Sequence, residues 1–150
     1  MMIIIASMIS LGVTMLFFVA NYWENEKKDN LIENANQVSS VIVASSNFNS
    51  AKRTLVIEDP DLFTVTISTM ADTIDADIFV VNNKGKLQYC SEEGICIHKD
   101  SELSQEILAD TITSNYFEYG TLGGFYSDTY YTAGAPVIIN NAGTEEVVAF

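Results

Sequence analysis

Cys90, Cys96 and His98 lie close together in the chain and are the residues whose types could do chemistry. Cys90 and Cys96 flank Ser-Glu-Glu-Gly-Ile, and that spacing admits three readings. A disulfide fits an oxidising compartment, two free thiols fit a reducing one, and a metal site would add His98. We favour the disulfide. Closing so short a loop would contribute roughly 2–3 kcal/mol on the chain-entropy model. The metal reading lacks the tight cysteine pair and the fourth ligand of a structural zinc site. His98 is the only histidine and reads as a surface residue rather than a base. No nucleophile elbow, phosphate-binding loop or zinc-protease helix motif is present. The carboxylate pairs Glu92-Glu93 and Glu145-Glu146 sit beside turn residues, where acids are normally solvated. We therefore assign no catalytic residue, no metal and no cofactor to this sequence.

A second stretch suggests binding rather than catalysis. Residues 120–139 read GTLGGFYSDTYYTAGAPVII. Gly120, Gly123 and Gly124 permit unusual backbone angles and close approach. Tyr126, Tyr130 and Tyr131 offer apolar faces with one hydroxyl each, and Asp128 a charge. Aromatic walls with a few polar groups are characteristic of small-molecule pockets, and an aromatic box beside a carboxylate suits a cation or amino group. Strand residues alternate between faces, however, so Tyr130 and Tyr131 cannot both point into one pocket from a regular strand. Some of these rings must belong to the core.

The elements that would position these residues follow from periodicity. The chain has 150 residues with 48% apolar composition, enough for one domain with a core, and a net charge of -13. That charge repels phosphate backbones and disfavours nucleic acid as a partner. Residues 1–23 carry no charge until Glu24, which predicts a transmembrane helix anchored by Tyr22 and Trp23. From Trp23 to about Asn47 the pattern stays helical. Leu31, Ala35, Val38 and Ile42 form a stripe that suits either a dimer seam or packing on the chain's own sheet. Residues 47–58 read as a connection. Asp59 and Pro60 open a second helix with Phe63, Ile67, Met70 and Ile74 on its buried face, ending near Asp75. Ile78–Val81 and Lys86–Cys90 form a hairpin across Asn82–Gly85. Asp100 or Ser101 caps a third helix carrying Leu103, Ile107, Leu108 and Ile112. Strands are predicted at 116–119, at 129–139 with an interruption at Gly134 and Pro136, and from Glu146 to Phe150. The sum is an α+β domain with an antiparallel sheet.

In this order the elements resemble the extracytoplasmic sensor domains of bacterial receptors, the Cache group with its PAS-like sheet, in the single-module form found in sensor histidine kinases. The resemblance rests on the membrane helix running into a long helix, on ADIFVVNNKGKLQYCS as opening strands and turn, and on GTLGGFYSDTYYTAGAPVIINNAGTEEVVAF as closing loop and strands. It implies a membrane helix over 1–23 and a sensor domain over 24–150, outside the cell membrane. Lys27 and Lys28 after the span favour the opposite orientation, and the cysteine pair favours this one. The resemblance also implies a ligand pocket between sheet and loops, near Tyr119, Tyr126, Asp128, Tyr130 and Tyr131. The partners expected are the membrane, a small-molecule ligand or an external protein signal, and a second copy of the chain. A second membrane helix and an output domain, expected beyond Phe150, would complete a histidine kinase that uses ATP and Mg and acts on a response regulator. A chemoreceptor or cyclase output fits equally. The arginine-tryptophan-tyrosine pattern of the amino-acid-binding Cache subgroup is not found. A type IV pilin-like protein is the structural alternative, but the apolar segment lacks the early acid and cleavage site of that class. A lipoprotein would need a cysteine at the end of that segment.

Overall fold

The computed structural model describes residues 2–49, 54–92, 96, 101–141 and 143–150, with side chains for all of these except 2–6, 48, 49, 54 and 141. The first element, α1, is one unbroken helix, Met2–Ala44. No proline interrupts it, and its one glycine, Gly12, sits in an otherwise strongly helix-forming run. Its two halves have different surroundings. The described side chains from residue 7 to 30 are exposed, with Leu16 and Phe17 at 71% and 65%. From Leu31 onward one face turns inward, and Val38 and Ile42 are buried.

Among the described residues no helix is long and apolar enough to cross a membrane. This overturns the transmembrane helix expected over residues 1–23. The cell-membrane, extracytoplasmic placement of the rest of the chain falls with it. Ser7, Ser10, Gly12 and Thr14 dilute the described apolar run, and Glu24 ends it.

After α1 comes a hairpin, β1 (Ser46–Asn49) with β2 (Thr54–Ile57), where the sequence predicted only a connection. Ile57 is buried and Val56 is 48% exposed, the alternation of a half-buried strand. Helix α2 (Pro60–Ile74) starts as expected. The Asp59 carboxylate accepts from the Leu62 N–H at 3.0 Å, and Pro60 takes the first helical position. Phe63, Ile67 and Ala71 form its buried face, and Asp75, at φ 53, closes it.

Strands β3 (Phe79–Val81) and β4 (Leu87–Cys90) pair antiparallel. The Asn82 side-chain oxygen accepts from the backbone N–H groups of Lys84 and Lys86, at 2.9 and 3.0 Å, and so fixes their turn. Helix α3 (Gln105–Thr113) begins later than expected. Its cap is Ser104, whose hydroxyl accepts from the Ile107 N–H at 3.4 Å. Ser101 does not serve, because Glu102 and Leu103 after it are held on the hairpin, and Asp100 lies outside the described residues. Lys86 and Glu102 form a bridge, and the Leu103 N–H donates to the Gly85 carbonyl at 2.9 Å.

The strand expected over 129–139 is two strands. Strand β5 (Tyr116–Gly120) pairs with β6 (Tyr130–Gly134), and β7 (Val137–Asn141) pairs with β8 (Thr144–Ala149). Pro136, with no N–H to give a ladder, lies at the break. The strands therefore form four two-stranded ribbons. The class is α+β, but among the described residues the continuous PAS/Cache-like antiparallel sheet is not formed. The nearest approach to one is where Val81 and Phe150 exchange two backbone hydrogen bonds of 2.9 Å, joining the β3–β4 ribbon to the end of β8.

Two apolar clusters hold these ribbons. The first gathers Val38 and Ile42 of α1 with Phe63, Ile67, Val80 and Val137. The second holds Val81, Leu103, Leu108 and Leu122, with Phe79 and Tyr116 against them. The Ser39 hydroxyl donates to the Pro136 carbonyl at 2.9 Å and pins α1 to the β6–β7 break.

Candidate ligand cavity

Between the inner face of α1 and the ribbons lies a cavity of about 600 Å3. One wall is α1, through Leu31, Ala35 and Val38. The end of α2 and β3 form the second, α3 the third, and the β5–β6 ribbon with its connecting loop the fourth. The volume falls within the range of small-molecule sites.

The loop after β5 is a tight turn. The Thr121 carbonyl accepts from Gly124 and Tyr126 N–H groups at 3.1 and 3.0 Å. Leu122 takes a left-handed φ of 50 and is 3% exposed, and Gly123 follows at φ 64. A left-handed conformation costs a β-carbon-bearing residue about 1–2 kcal/mol, which burial of the leucine side chain offsets. The turn folds Leu122 into the second cluster and brings Phe125 and Tyr126 onto Phe79. Phe79 and Phe125 stack with centroids 5.2 Å apart, and Tyr126 meets Phe79 edge-on at 6.4 Å.

Strand alternation divides the tyrosines. Tyr131 lies opposite Tyr119 in the ladder with rings 4.4 Å apart, and Phe117 is 6.0 Å away. The Lys28 ammonium sits 5.6 Å from the Phe117 ring. Tyr130 joins the other group, 5.0 Å from Tyr126. Tyr126, Tyr130 and Tyr131 border the cavity, whereas Tyr119 and Asp128 do not. Tyr119 is 60% exposed, and Asp128 is exposed with the Ser127 hydroxyl 3.5 Å from its carboxylate. Leu31, Ala35, Val38 and Ile42 all face the cavity, and Val38 and Ile42 also belong to the chain's own core.

The charged groups at the cavity are ones the sequence did not assign to a site. Among the described residues Asp75, Asp77, Glu92 and Lys27 border it. The Lys27 ammonium lies 4.9 Å from the Trp23 ring, a cation–π contact on α1 itself. Burial pushes the Tyr126 hydroxyl up to about 12, with the negative charges of Asp77 and Glu92 adding to the effect. Tyr116, also on the lining, is likewise pushed up to about 12, first by burial and then by its 2.7 Å hydrogen bond to Glu118.

Cys90 and Cys96 are joined as a disulfide, with Cα atoms 6.3 Å apart. Cys90, Glu92 and Cys96 bring donor atoms within 4.8 Å of one another, but sulfurs bonded to each other are not thiolate ligands. His98 lies outside the described residues. What the arrangement can do is enclose a small molecule between aromatic, aliphatic and acidic surfaces. Comparisons of the chain with protein-family models, curated proteins and solved structures give no match.

Proposed function

We propose that this chain is a sensory input module that binds a small molecule in the α1–ribbon cavity and reports occupancy through α1. The cavity itself carries this reading, because α1 supplies a wall of it and is also the longest element of the chain. A ligand touching Leu31 and Ala35 on one side and Tyr126 and Tyr130 on the other favours whichever α1 position fits it. It shifts that balance only by its differential affinity for the two positions. The output such a module serves, a histidine kinase acting on a response regulator in the resemblance above, belongs to other sequence.

A thermal-shift screen of a metabolite library against the purified chain tests the proposal. A ligand at about 100 times its Kd adds about 2.7 kcal/mol of stability, worth roughly 5–10 °C in a chain of this size. Ala35→Trp, which fills the cavity from α1, should abolish the shift. A library that produces no shift, or shifts that survive Ala35→Trp, would refute the cavity as a sensing site.

A further inference from the structure

The geometry points to an uncharged molecule with an apolar body of about one to two rings as the ligand class of this cavity. The inference rests on the proposed sensing role and narrows it. The cavity takes its walls from both apolar clusters: Val38, Ile42 and Val80 of the first, and Leu103, Leu108 and Leu122 of the second, all of them buried. Phe79 and Tyr126 add ring surface. At about 600 Å3 the space is several times the roughly 150 Å3 that holds a benzene ring, so a two-ring body fits. The charged groups on the lining are not at these walls. Among the described residues Lys27, Asp75 and Asp77 are exposed and Glu92 is half-buried. Water and salt screen exposed charges, so they hold an ion only weakly. A charged ligand group drawn between the leucines would give up its hydration, which costs far more than burying a neutral polar group. The Tyr116 and Tyr126 hydroxyls obey the same preference, since burial above all keeps them neutral. Thr111 is a polar side chain buried on the lining, 3% exposed. Its hydroxyl donates to the Ile107 carbonyl at 2.8 Å. Its oxygen can still accept a hydrogen bond, which suits a neutral donor on the ligand.

Calorimetric titration with three probes of matched size and one shared ring system, tryptophol, tryptamine and indoleacetate, tests this. Tryptophol, the neutral probe, should bind at least about ten times more tightly than either ion. Its affinity should not fall as salt is raised, and its binding should carry a negative heat-capacity change. Leu31→Asn, on the half-buried α1 wall, should weaken tryptophol at least about tenfold. If that variant does not fold, the probe and salt series on the unmodified protein decide alone. Unchanged affinity in a folded Leu31→Asn protein overturns the inference, because the probe then binds elsewhere. Binding of tryptamine or indoleacetate as tight as that of tryptophol overturns the neutral ligand class and leaves the cavity a sensing site. Failure of all three probes also overturns it. The sensing role then stands or falls by the library screen and the Ala35→Trp control.

Discussion

Gly85→Ala isolates one close approach that positions the α3 wall of the cavity. Gly85 sits at φ 85, and a β-carbon there would collide with the Leu103 carbonyl oxygen, with the carbonyl carbon 3.1 Å away. Both atoms are backbone and cannot swing aside. The same contact carries the 2.9 Å hydrogen bond from the Leu103 N–H to Gly85. Three costs combine: about 1 kcal/mol for the left-handed conformation, about 1 for the lost hydrogen bond and about 1–3 for the overlap. Gly143 provides the control, since it has φ 88 and nothing within 4 Å of a β-carbon. Gly143→Ala should therefore cost about 1 kcal/mol, and Gly85→Ala about 3–5. The entropy that alanine removes from the unfolded chain acts on both variants alike and cancels in the difference. Thermal melts should show midpoints lower by roughly 3 °C and 10 °C. Equal losses, within about 0.5 kcal/mol by urea unfolding, would refute the close packing of the β3–β4 turn on the α3 entry.

Two further outcomes concern the covalent and ionisable groups. Reducing the Cys90–Cys96 disulfide, which spans a sequence separation of 6, should lower stability by about 2 kcal/mol in urea. Equal stability with and without reductant, in protein shown by mass to be oxidised, would contradict that. The hydroxyls of Tyr116 and Tyr126 are raised in the fold from 10.0 to about 12. The unfolded chain therefore releases these protons first, so stability should fall as pH rises from about 10 to 12, with no contribution below 10. Phenolate absorbance should show a late-titrating fraction among the seven tyrosines, and a late fraction unchanged by Tyr126→Phe would remove the assignment.

Where local chemistry determines structure, the sequence was legible. Helix α2 follows directly from Asp59, Pro60 and the spacing of Phe63 and Ile67, and the break at Pro136 from a missing donor. Tyr130 and Tyr131 fall in separate ring groups as strand alternation requires, but both border the one cavity, which alternation alone did not predict. The β1–β2 hairpin was missed because Ser46–Asn49 is too polar and short to show a period. The start of α3 was missed because a tertiary hydrogen bond, Leu103 to Gly85, holds the chain past Ser101, which could have capped a helix. The charged rim was missed for a related reason. Asp75 and Asp77 read as the end of a helix and Glu92 as part of a turn, and only packing places them on the same cavity as Tyr126. The apolar character of residues 1–23 was plain, yet among the described residues no helix is long and apolar enough to cross a membrane.

The hydrogen bond from Ser39 to Pro136 gives α1 a fulcrum. Met8 lies 31 residues before Ser39 on the same unbroken helix, about 46 Å at the helical rise. A tilt of only about 5° about the Ser39 contact would carry that far end through about 4 Å over this length. Leu31 and Ala35, close to the pivot, would move by only about 1 Å and about 0.5 Å, near the play available between packed side chains. The helix thus acts as a lever whose short arm borders the cavity and whose long arm is the exposed apolar stretch from Met8 to Trp23.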